Sequence, residues 1–123
     1  MSKVIVVDDD PTNAGLTQML LELDGFTVLT CSDIPQAKAA AAQDTSAFVV
    51  DIHLARGASG LELIRAIRAG ETAAARHAIV ITASGDHRRE VEAREAGADY
   101  FLLKPYSPND LSIELRRLLA GGK

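Results

Sequence analysis

The chain is short of cysteine, of basic runs and of long apolar stretches, and each shortage excludes a class of protein. Cys31 is the only cysteine among 123 residues, so an internal disulfide is excluded. The net charge is −4 and no long basic run is present, which disfavours nucleic-acid binding. No apolar segment approaches the roughly 20 residues that a transmembrane helix needs. Repeats, low-complexity stretches and linkers are also missing, so we expect one domain covering residues 1–123.

The N-terminus and the composition predict a soluble, cytoplasmic protein. Met1-Ser2-Lys3 leads straight into an apolar stretch that is too short for the core of a signal peptide, and acidic residues follow at once. A lone cysteine suits a reducing compartment. Since 47% of the residues are hydrophobic, the chain has enough apolar side chains to form a buried core.

Five apolar stretches predict β-strands. Four of them are continuous apolar runs, at residues 4–7, 47–50, 78–81 and 100–103, and a weaker fifth spans residues 27–31. Continuous rather than alternating apolarity, with many β-branched residues, is typical of strands that are buried on both faces.

Helical patterns fill the gaps between these strands. Apolar residues recur at helical spacing at Leu16, Met19, Leu20 and Leu23, at Leu63, Ile64 and Ile67, and at Leu111, Leu115, Leu118 and Leu119. The segment 33–44 is rich in alanine, and Asp33 with Gln36 resembles a capping box at its start. Ser107 is a further expected cap, and residues 87–96 form a charged helix whose thin apolar stripe predicts weak docking. This alternation predicts an α/β domain whose parallel sheet is covered on both sides.

Polar side chains follow four of the five strands. Asp8-Asp9-Asp10 follows the first strand, Asp51 the third, Thr82-Ala83-Ser84 the fourth and Lys104-Pro105 the fifth. Because sites in open parallel sheets lie outside the carboxyl ends of the strands, these groups should meet at one edge. Each alone has a structural explanation, as a helix cap, a strand residue or a solvated charge. Their joint occurrence at four strand ends indicates a functional site.

Electrostatics predicts what such a site must hold. Two carboxylates ~4 Å apart repel each other by roughly 4 kcal/mol at an effective dielectric of about 20. Asp8, Asp9 and Asp51 therefore call for a hard divalent cation, and oxygen ligands favour Mg²⁺ or Mn²⁺ over Zn²⁺. Since Mg²⁺ commonly completes its shell with phosphate oxygens, the cluster predicts phosphate chemistry. Lys104 would supply a second positive charge, and the Thr82 hydroxyl would donate to a phosphoryl oxygen.

The combined motifs resemble the receiver domains of two-component response regulators. These motifs are Val6-Val7-Asp8-Asp9-Asp10-Pro11, Val49-Val50-Asp51 with Gly60-Leu61-Glu62-Leu63, Ile81-Thr82-Ala83, and Gly97-Ala98-Asp99 with Lys104-Pro105. The resemblance covers essentially the whole chain. It implies a flavodoxin-like (βα)5 fold, which is a doubly wound parallel sheet with strand order 2-1-3-4-5.

The resemblance implies a phosphoacceptor and a metal site. Asp51 matches the phosphoacceptor, and Asp8 and Asp9 match the acidic pair that holds Mg²⁺. The backbone carbonyl of His53 would be a further metal ligand. Since Mg²⁺ prefers oxygen, the His53 imidazole is expected at the mouth of the pocket, where it would act with Ser84 on the access of the attacking water.

The resemblance also implies a switch. Lys104 and the Ala83 N–H would contact the phosphoryl group, and Thr82 would be the switch hydroxyl. Phe101 falls at the position of the switch aromatic and would turn inward after phosphorylation. The Lys104-Pro105 peptide bond would be cis.

The implied function is a phosphorylation-dependent signalling switch. A histidine kinase or a histidine phosphotransfer protein would phosphorylate Asp51. The domain would catalyse its own Mg²⁺-dependent phosphorylation and hydrolysis, and is otherwise not expected to be an enzyme. No effector domain follows the last helix, so we expect a stand-alone receiver that acts on an unidentified protein target. It would work as a monomer or as a phosphorylation-dependent dimer, without nucleic-acid or membrane binding.

Two features depart from the family pattern. The loop at residues 52–60 is one residue longer than usual and has Ala55 where proline is common, which predicts a more flexible loop. Phe101 stands where tyrosine is common and therefore lacks the hydroxyl. Tyr100, one position earlier, is expected to face the other side of the sheet.

Three other interpretations are weaker. Asp8-x-Asp10-x-Thr12 also resembles the haloacid-dehalogenase phosphatases, in which the first aspartate is the nucleophile, but the chain is short for that fold and Asp51 would have no role. A flavodoxin lacks support because the first loop is not rich in serine, threonine and glycine. A degenerate receiver that acts only as an interaction module is opposed by the complete set of acidic and basic site residues.

Overall fold

The computed structural model describes residues 2–121 of the chain, which form a five-stranded sheet flanked by helices. The strands are β1 Lys3–Val7, β2 Thr27–Cys31, β3 Thr45–Asp51, β4 Ile79–Ser84 and β5 Tyr100–Leu103. The helices are α1 Pro11–Leu23, α2 Ile34–Ala40, α3 Gly60–Arg68, α4 Arg89–Ala96 and α5 Pro108–Leu119, with a short 3₁₀ turn at Ala55–Gly57. The strands are parallel in the order β2-β1-β3-β4-β5, so the predicted fold class and strand order are confirmed. None of these helices is long and apolar enough to cross a bilayer.

Alternate residues of each strand supply two separate cores. In β3, Phe48 and Val50 belong to the core beneath α2, α3 and α4, whereas Ala47 and Val49 belong to the core beneath α1 and α5. The aromatic residues of β5 divide in the same way, with Phe101 in the first core and Tyr100 against the second, as predicted. Burial on both faces explains why the strands are continuous apolar runs.

The predicted helix caps are present, with one difference. Ser107 accepts the N–H of Asn109 at 3.1 Å, and Asp33 accepts the N–H of Gln36 at 2.8 Å. The second half of the expected capping box is shifted, because the Gln36 side chain accepts the N–H of Ser32 at 2.9 Å rather than that of the cap residue. Both caps satisfy backbone donors that a helix leaves free at its start.

Helix α2 is shorter than the alanine-rich segment 33–44 predicts, because it ends at Ala40. Ala41 has extended backbone with ψ 138°. Thr45 then closes a turn, accepting the N–H of Ala42 at its Oγ1 and donating its own N–H to the Ala42 carbonyl, both at 3.0 Å. The chain needs this turn to enter β3, so tertiary structure overrides the helical preference of alanine.

The apolar stripe of α1 is not the side that packs. Leu16, Met19 and Leu23 are 48%, 51% and 77% exposed, whereas Ala14 and Leu21 are buried. The stripes predicted for α3 and α5 are buried at Leu63, Ile64, Ile67, Leu111, Leu115 and Leu118. Apolar spacing therefore identified α1 as a helix without indicating its buried side.

Helix α4 is thinly anchored, as its charged sequence predicts. It begins at Arg89, two residues after the predicted start, and Gly97 ends it with φ 117°. Its buried residues are the small Ala93 and Ala96, and Val91 is 65% exposed. Few apolar contacts hold this helix to the sheet, which is typical of a segment with low local stability.

Candidate functional site

Three carboxylates converge at the carboxyl ends of β1 and β3, which are neighbours in the sheet. Asp8, Asp9 and Asp51 each offer an oxygen, and these oxygens lie within 4.8 Å of one another. Asp10 does not join them, because its Oδ1 accepts the N–H of Thr12 at 3.0 Å and caps α1. The haloacid-dehalogenase interpretation requires Asp10 to act beside Asp8, but Asp10 caps α1 instead.

Asp51 is held from two sides. Its Oδ2 accepts a hydrogen bond from the Lys104 ammonium at 2.9 Å, and its Oδ1 accepts the N–H of His53 at 3.1 Å. The Asp51 side chain is only 10% exposed. Gly60 allows α3 to begin directly against this residue, since a Cβ at Gly60 would lie 2.2 Å from the Asp51 carbonyl oxygen. Any larger residue would push α3 away from the site.

Burial and crowding change the ionisation of the site. Burial raises the pKa of Asp8, and the charges of Asp51 and Asp9 add to the rise against the Asp10 N–H and Lys104. Burial alone would lower the pKa of Lys104, but its hydrogen bond and ion pair with Asp51 raise it above the ordinary value. Three carboxylates face one ammonium group, which leaves negative charge uncompensated. This oxygen donor set fits a hard divalent cation such as Mg²⁺.

The strand register places Ala83 beside Asp51, and Thr82 between Val50 and Phe101. Ala83 is the β4 partner of Asp51, and Thr82 is the partner of Phe101 in β5. Thr82 is fully buried and donates its hydroxyl to the Val50 carbonyl at 2.6 Å. Phe101 is buried, with 8% exposure, so its ring already lies in the core, and its movement on phosphorylation stays a prediction. Without a hydroxyl, its ring has no polar group to keep it at the surface.

The imidazole of His53 contacts Ser84, and its predicted effect on the access of water stays a prediction. His53 is exposed, and its Nε2 shares a 2.9 Å hydrogen bond with Oγ of the buried Ser84. The loop that follows closes on itself, because the Leu54 N–H donates to the Ala58 carbonyl at 3.0 Å around a tip where Arg56 has φ 61°. The greater flexibility expected of this longer loop stays a prediction.

Comparison with known proteins decides the family. The family profile described as the response regulator receiver domain matches residues 4–116. This chain belongs to the response regulator receiver family. Receiver domains work in phosphorylation-based two-component signalling, in which histidine kinases or phosphotransfer proteins are their partners, and they bind Mg²⁺ at an acidic pocket.

Individual relatives agree with this assignment. Protein PetR of Rhodobacter capsulatus is 33% identical over 117 residues, which cover 94% of this receiver but 48% of PetR. The receiver thus spans about half the length of the curated relatives it matches.

Solved structures share the fold. A CheY-like receiver domain protein from Methanospirillum hungatei has TM-score 0.87 at 23% identity, covering 98% of this chain and 95% of that one, which shows the fold alone. The receiver domain of the Pseudomonas aeruginosa sensor histidine kinase PA1611, with a magnesium ion coordinated in its active site cleft, has TM-score 0.83 at 25% identity over 97% and 98% of the two chains.

Tyr106 lies beside the receiver site, although no sequence motif includes it. Tyr106 follows the cis Lys104-Pro105 bond and lines a cavity of about 460 Å³ between α1 and α5, together with Asp8 and Lys104. Burial raises the pKa of the Tyr106 hydroxyl, against the opposing charge of Lys104. Its position two residues after Lys104 is the only sequence signal that could have placed Tyr106 near the site, since no spacing rule puts its ring beside the carboxylates.

Proposed function

We propose that Asp51 accepts a phosphoryl group from a phosphohistidine of a kinase or phosphotransfer protein, and that the modified domain then changes its affinity for a protein partner. The observation that carries the proposal is the position of the Asp51 carboxylate, which ends β3 in a pocket of two further carboxylates and is paired with Lys104 at 2.9 Å. Membership of the receiver family supports the same reaction.

Asp8, Asp9, Asp51 and the backbone carbonyl of His53 would hold the divalent cation, with Mg²⁺ preferred and Mn²⁺ accepted by the same oxygen donors. When bound, the ion supplies positive charge against the phosphoryl oxygens. The magnesium ion in the active site cleft of the PA1611 receiver domain supports this assignment.

The chemistry needs positioning more than acid or base assistance. A carboxylate oxygen of Asp51 forms the new P–O bond while the P–N bond to the donor histidine breaks, and the nitrogen leaves with that bonding pair. Lys104 moves from the free carboxylate to a phosphoryl oxygen, and the Ala83 N–H donates to another. Hydrolysis reverses the modification when water attacks phosphorus and the P–O bond to Asp51 breaks, releasing inorganic phosphate.

Thr82 would connect this reaction to the rest of the domain. Its hydroxyl is held by the Val50 carbonyl and would exchange that acceptor for a phosphoryl oxygen, which is a stronger, charged acceptor. Phe101 pairs with Thr82 across the strands, so its ring repacks within the core when Thr82 moves.

The decisive experiment compares Asp51→Asn with Asp44→Asn, which changes an exposed aspartate. After incubation with acetyl phosphate and Mg²⁺, mass spectrometry should find acid-labile phosphate on the wild type and on Asp44→Asn but none on Asp51→Asn. Circular dichroism should show that the fold is retained. Undiminished labelling of Asp51→Asn would overturn the proposal, and labelling at Asp8 would favour the phosphatase interpretation.

A further inference from the structure

A continuous chain of polar contacts leads from Asp51 to the turn before α4. The His53 N–H donates to Asp51 Oδ1 at 3.1 Å, and the imidazole Nε2 of the same residue shares a 2.9 Å hydrogen bond with Ser84 Oγ. Ser84 Oγ in turn accepts the N–H of Asp86 at 3.0 Å. The Asp86 carboxylate then accepts hydrogen bonds from Arg88, the residue before the first turn of α4.

At its α4 end, this series of polar contacts consists of three hydrogen bonds between Arg88 and the Asp86 carboxylate. The Arg88 guanidinium meets both oxygens of Asp86, with Nε at 2.9 Å and Nη2 at 3.1 Å, and the Arg88 N–H adds a third bond at 3.0 Å. The side-chain and backbone hydrogen bonds from Arg88 lower the pKa of Asp86 to about 2. The Asp86 carbonyl also accepts the N–H of Arg89 at 3.0 Å, which joins the turn directly to the helix.

The start of α4 has few other anchors. Among the residues that the structure describes, no side chain caps the helix at Arg88, and the buried residues of α4, Ala93 and Ala96, lie in its second half. The opposite end is fixed, since the Gly97 carbonyl accepts the N–H of Arg68 Nε at 2.9 Å. The position of the first turn therefore depends on the turn at residues 84–88, which His53 joins to the phosphorylation site.

We propose that the hydrogen bond between His53 and Ser84 is a latch that links the phosphorylation site to the first turn of α4, by a route separate from Thr82 and Phe101. The transmitting role rests on the proposed function, because phosphorylation of Asp51 is what acts on the latch. The His53 N–H bonds the carboxylate that becomes modified, and Ser84 directly follows Ala83, the strand partner of that carboxylate. Both ends of the latch are therefore adjacent to groups that phosphorylation repositions.

Two variants at His53 separate the hydrogen bond from the bulk of the side chain. The amide of His53→Gln reaches about as far as Nε2 and preserves a partner for Ser84, whereas His53→Leu keeps volume but removes the bond. In unphosphorylated protein without Mg²⁺, NMR hydrogen exchange of the Asp86, Arg88 and Arg89 amides should be about three- to tenfold faster in His53→Leu, as expected for the loss of one hydrogen bond. The rates in His53→Gln should stay near those of the wild type.

Ser84→Ala provides an independent check, because it removes the same latch together with the acceptor for the Asp86 N–H. Its exchange rates at these amides should rise at least as much as those of His53→Leu. Wild-type rates in His53→Leu, or equal acceleration in both His53 variants, would overturn the latch.

Transmission is tested by adding beryllofluoride and Mg²⁺. The resulting chemical-shift changes at Arg88, Arg89 and Glu90 should be smaller in His53→Leu than in His53→Gln, measured relative to the change at Thr82. Equal relative changes in the two variants would overturn transmission through the latch. A wild type that shows no change at Thr82 would instead count against phosphorylation of Asp51, while the exchange comparison without Mg²⁺ still decides the latch.

Discussion

At the scale of one residue, the Asp8 carboxylate lowers the stability of the folded receiver at neutral pH when no cation is bound. Because its pKa in the folded state is raised above 3.8, the folded protein holds this proton more tightly than the unfolded chain. Between 3.8 and the raised pKa the native state binds more protons, so stability falls as the pH rises. At neutral pH, Asp8 is therefore a destabilising charge that a bound cation would offset.

Asp8→Asn should raise the free energy of unfolding at neutral pH without Mg²⁺ by up to about 1 kcal/mol, a value limited by solvent screening. The asparagine oxygen preserves an acceptor for the Asp10 N–H, which lies 2.9 Å from Asp8 Oδ1. The gain should vanish below pH 3.8, where the carboxyl is protonated in both states. Urea unfolding at both pH values tests this, with the exposed Glu71→Gln as control. A less stable Asp8→Asn at neutral pH would contradict the sign.

Adding Mg²⁺ should reverse the order of the same two proteins. The wild type should gain stability with increasing Mg²⁺ because the ion binds the folded site, whereas Asp8→Asn should gain little. Melting curves at increasing Mg²⁺ concentration measure the difference. An equal rise in both proteins would mean that Asp8 is not part of the metal site.

The Lys104 ammonium is expected to bind a phosphoryl oxygen and so couple phosphorylation to the switch, rather than to hold the metal. Lys104→Ala should still take up some phosphate from acetyl phosphate, but the accompanying NMR shift changes at Thr82 and Phe101 should shrink. Loss of the 2.9 Å bond to Asp51 should also cost about 1–2 kcal/mol of stability, since the lysine is partly solvated. The exposed Lys38→Ala is the matched control. Unchanged shifts would make Lys104 an ordinary surface charge.

The composition of the site was predictable from sequence because the carboxyl ends of parallel strands meet at one edge. That rule brings Asp8, Asp9, Asp51 and Lys104 together before any side chain is placed. It says nothing about side-chain direction. The buried ring of Phe101 and the hydrogen bond across His53 and Ser84 depend on rotamers and loop closure, and only the structure fixes these.

At the scale of secondary-structure elements, one arginine joins three segments near the amino-terminal ends of β4 and β5, which is the end of the sheet opposite the site. Arg68, at the end of α3, donates to the Arg76 and Ala78 carbonyls at 2.7 Å, to the Gly97 carbonyl at 2.9 Å and to the Asp99 carboxylate at 2.9 Å. The last turn of α3, the entry to β4 and the turn between α4 and β5 are thereby fixed together. No periodicity rule predicts such a residue, since it lies off the apolar face of its helix.

Arg68→Leu should destabilise the fold by about 3 kcal/mol, because it removes the ion partner of the partly buried Asp99 carboxylate and the side-chain donor of three carbonyls, and leaves Asp99 only the Val80 N–H. Arg68→Lys should recover only part of this, since an ammonium cannot reproduce the planar fork of donors. Urea unfolding measures both, with the exposed Arg65→Leu on the same helix as control. A loss below about 1 kcal/mol would show that water replaces the arginine.

At the scale of the whole molecule, the surface formed by α4, β5 and α5 is the one we expect phosphorylation to change. Two ion pairs lie within α4 on this surface, where Arg89 pairs with Glu92 at 2.9 Å and Arg94 with Glu90 at 3.0 Å. Such exposed pairs contribute only about 0.3–0.5 kcal/mol each. Charged groups of a partner, or of a second copy of the domain, can therefore replace them at little cost in free energy. Binding through this surface should therefore weaken as salt increases.

Hydrogen exchange across the whole domain tests where the switch acts. The phosphoryl group brings about −1.5 to −2 charges while the Asp51 carboxylate loses its own charge on forming the acyl phosphate, and the charged phosphoryl oxygens draw Thr82 from the Val50 carbonyl and repack Phe101. Because α4 is anchored mainly through Ala93, Ala96 and its Gly97 end, a small bias should shift its first turn. With beryllofluoride and Mg²⁺, exchange should change most across residues 83–106. Helix α2, which packs on the same side of the sheet but against β1 and β2, serves as the internal control. Changes concentrated at residues 33–44 would refute this switch even if Asp51 is phosphorylated.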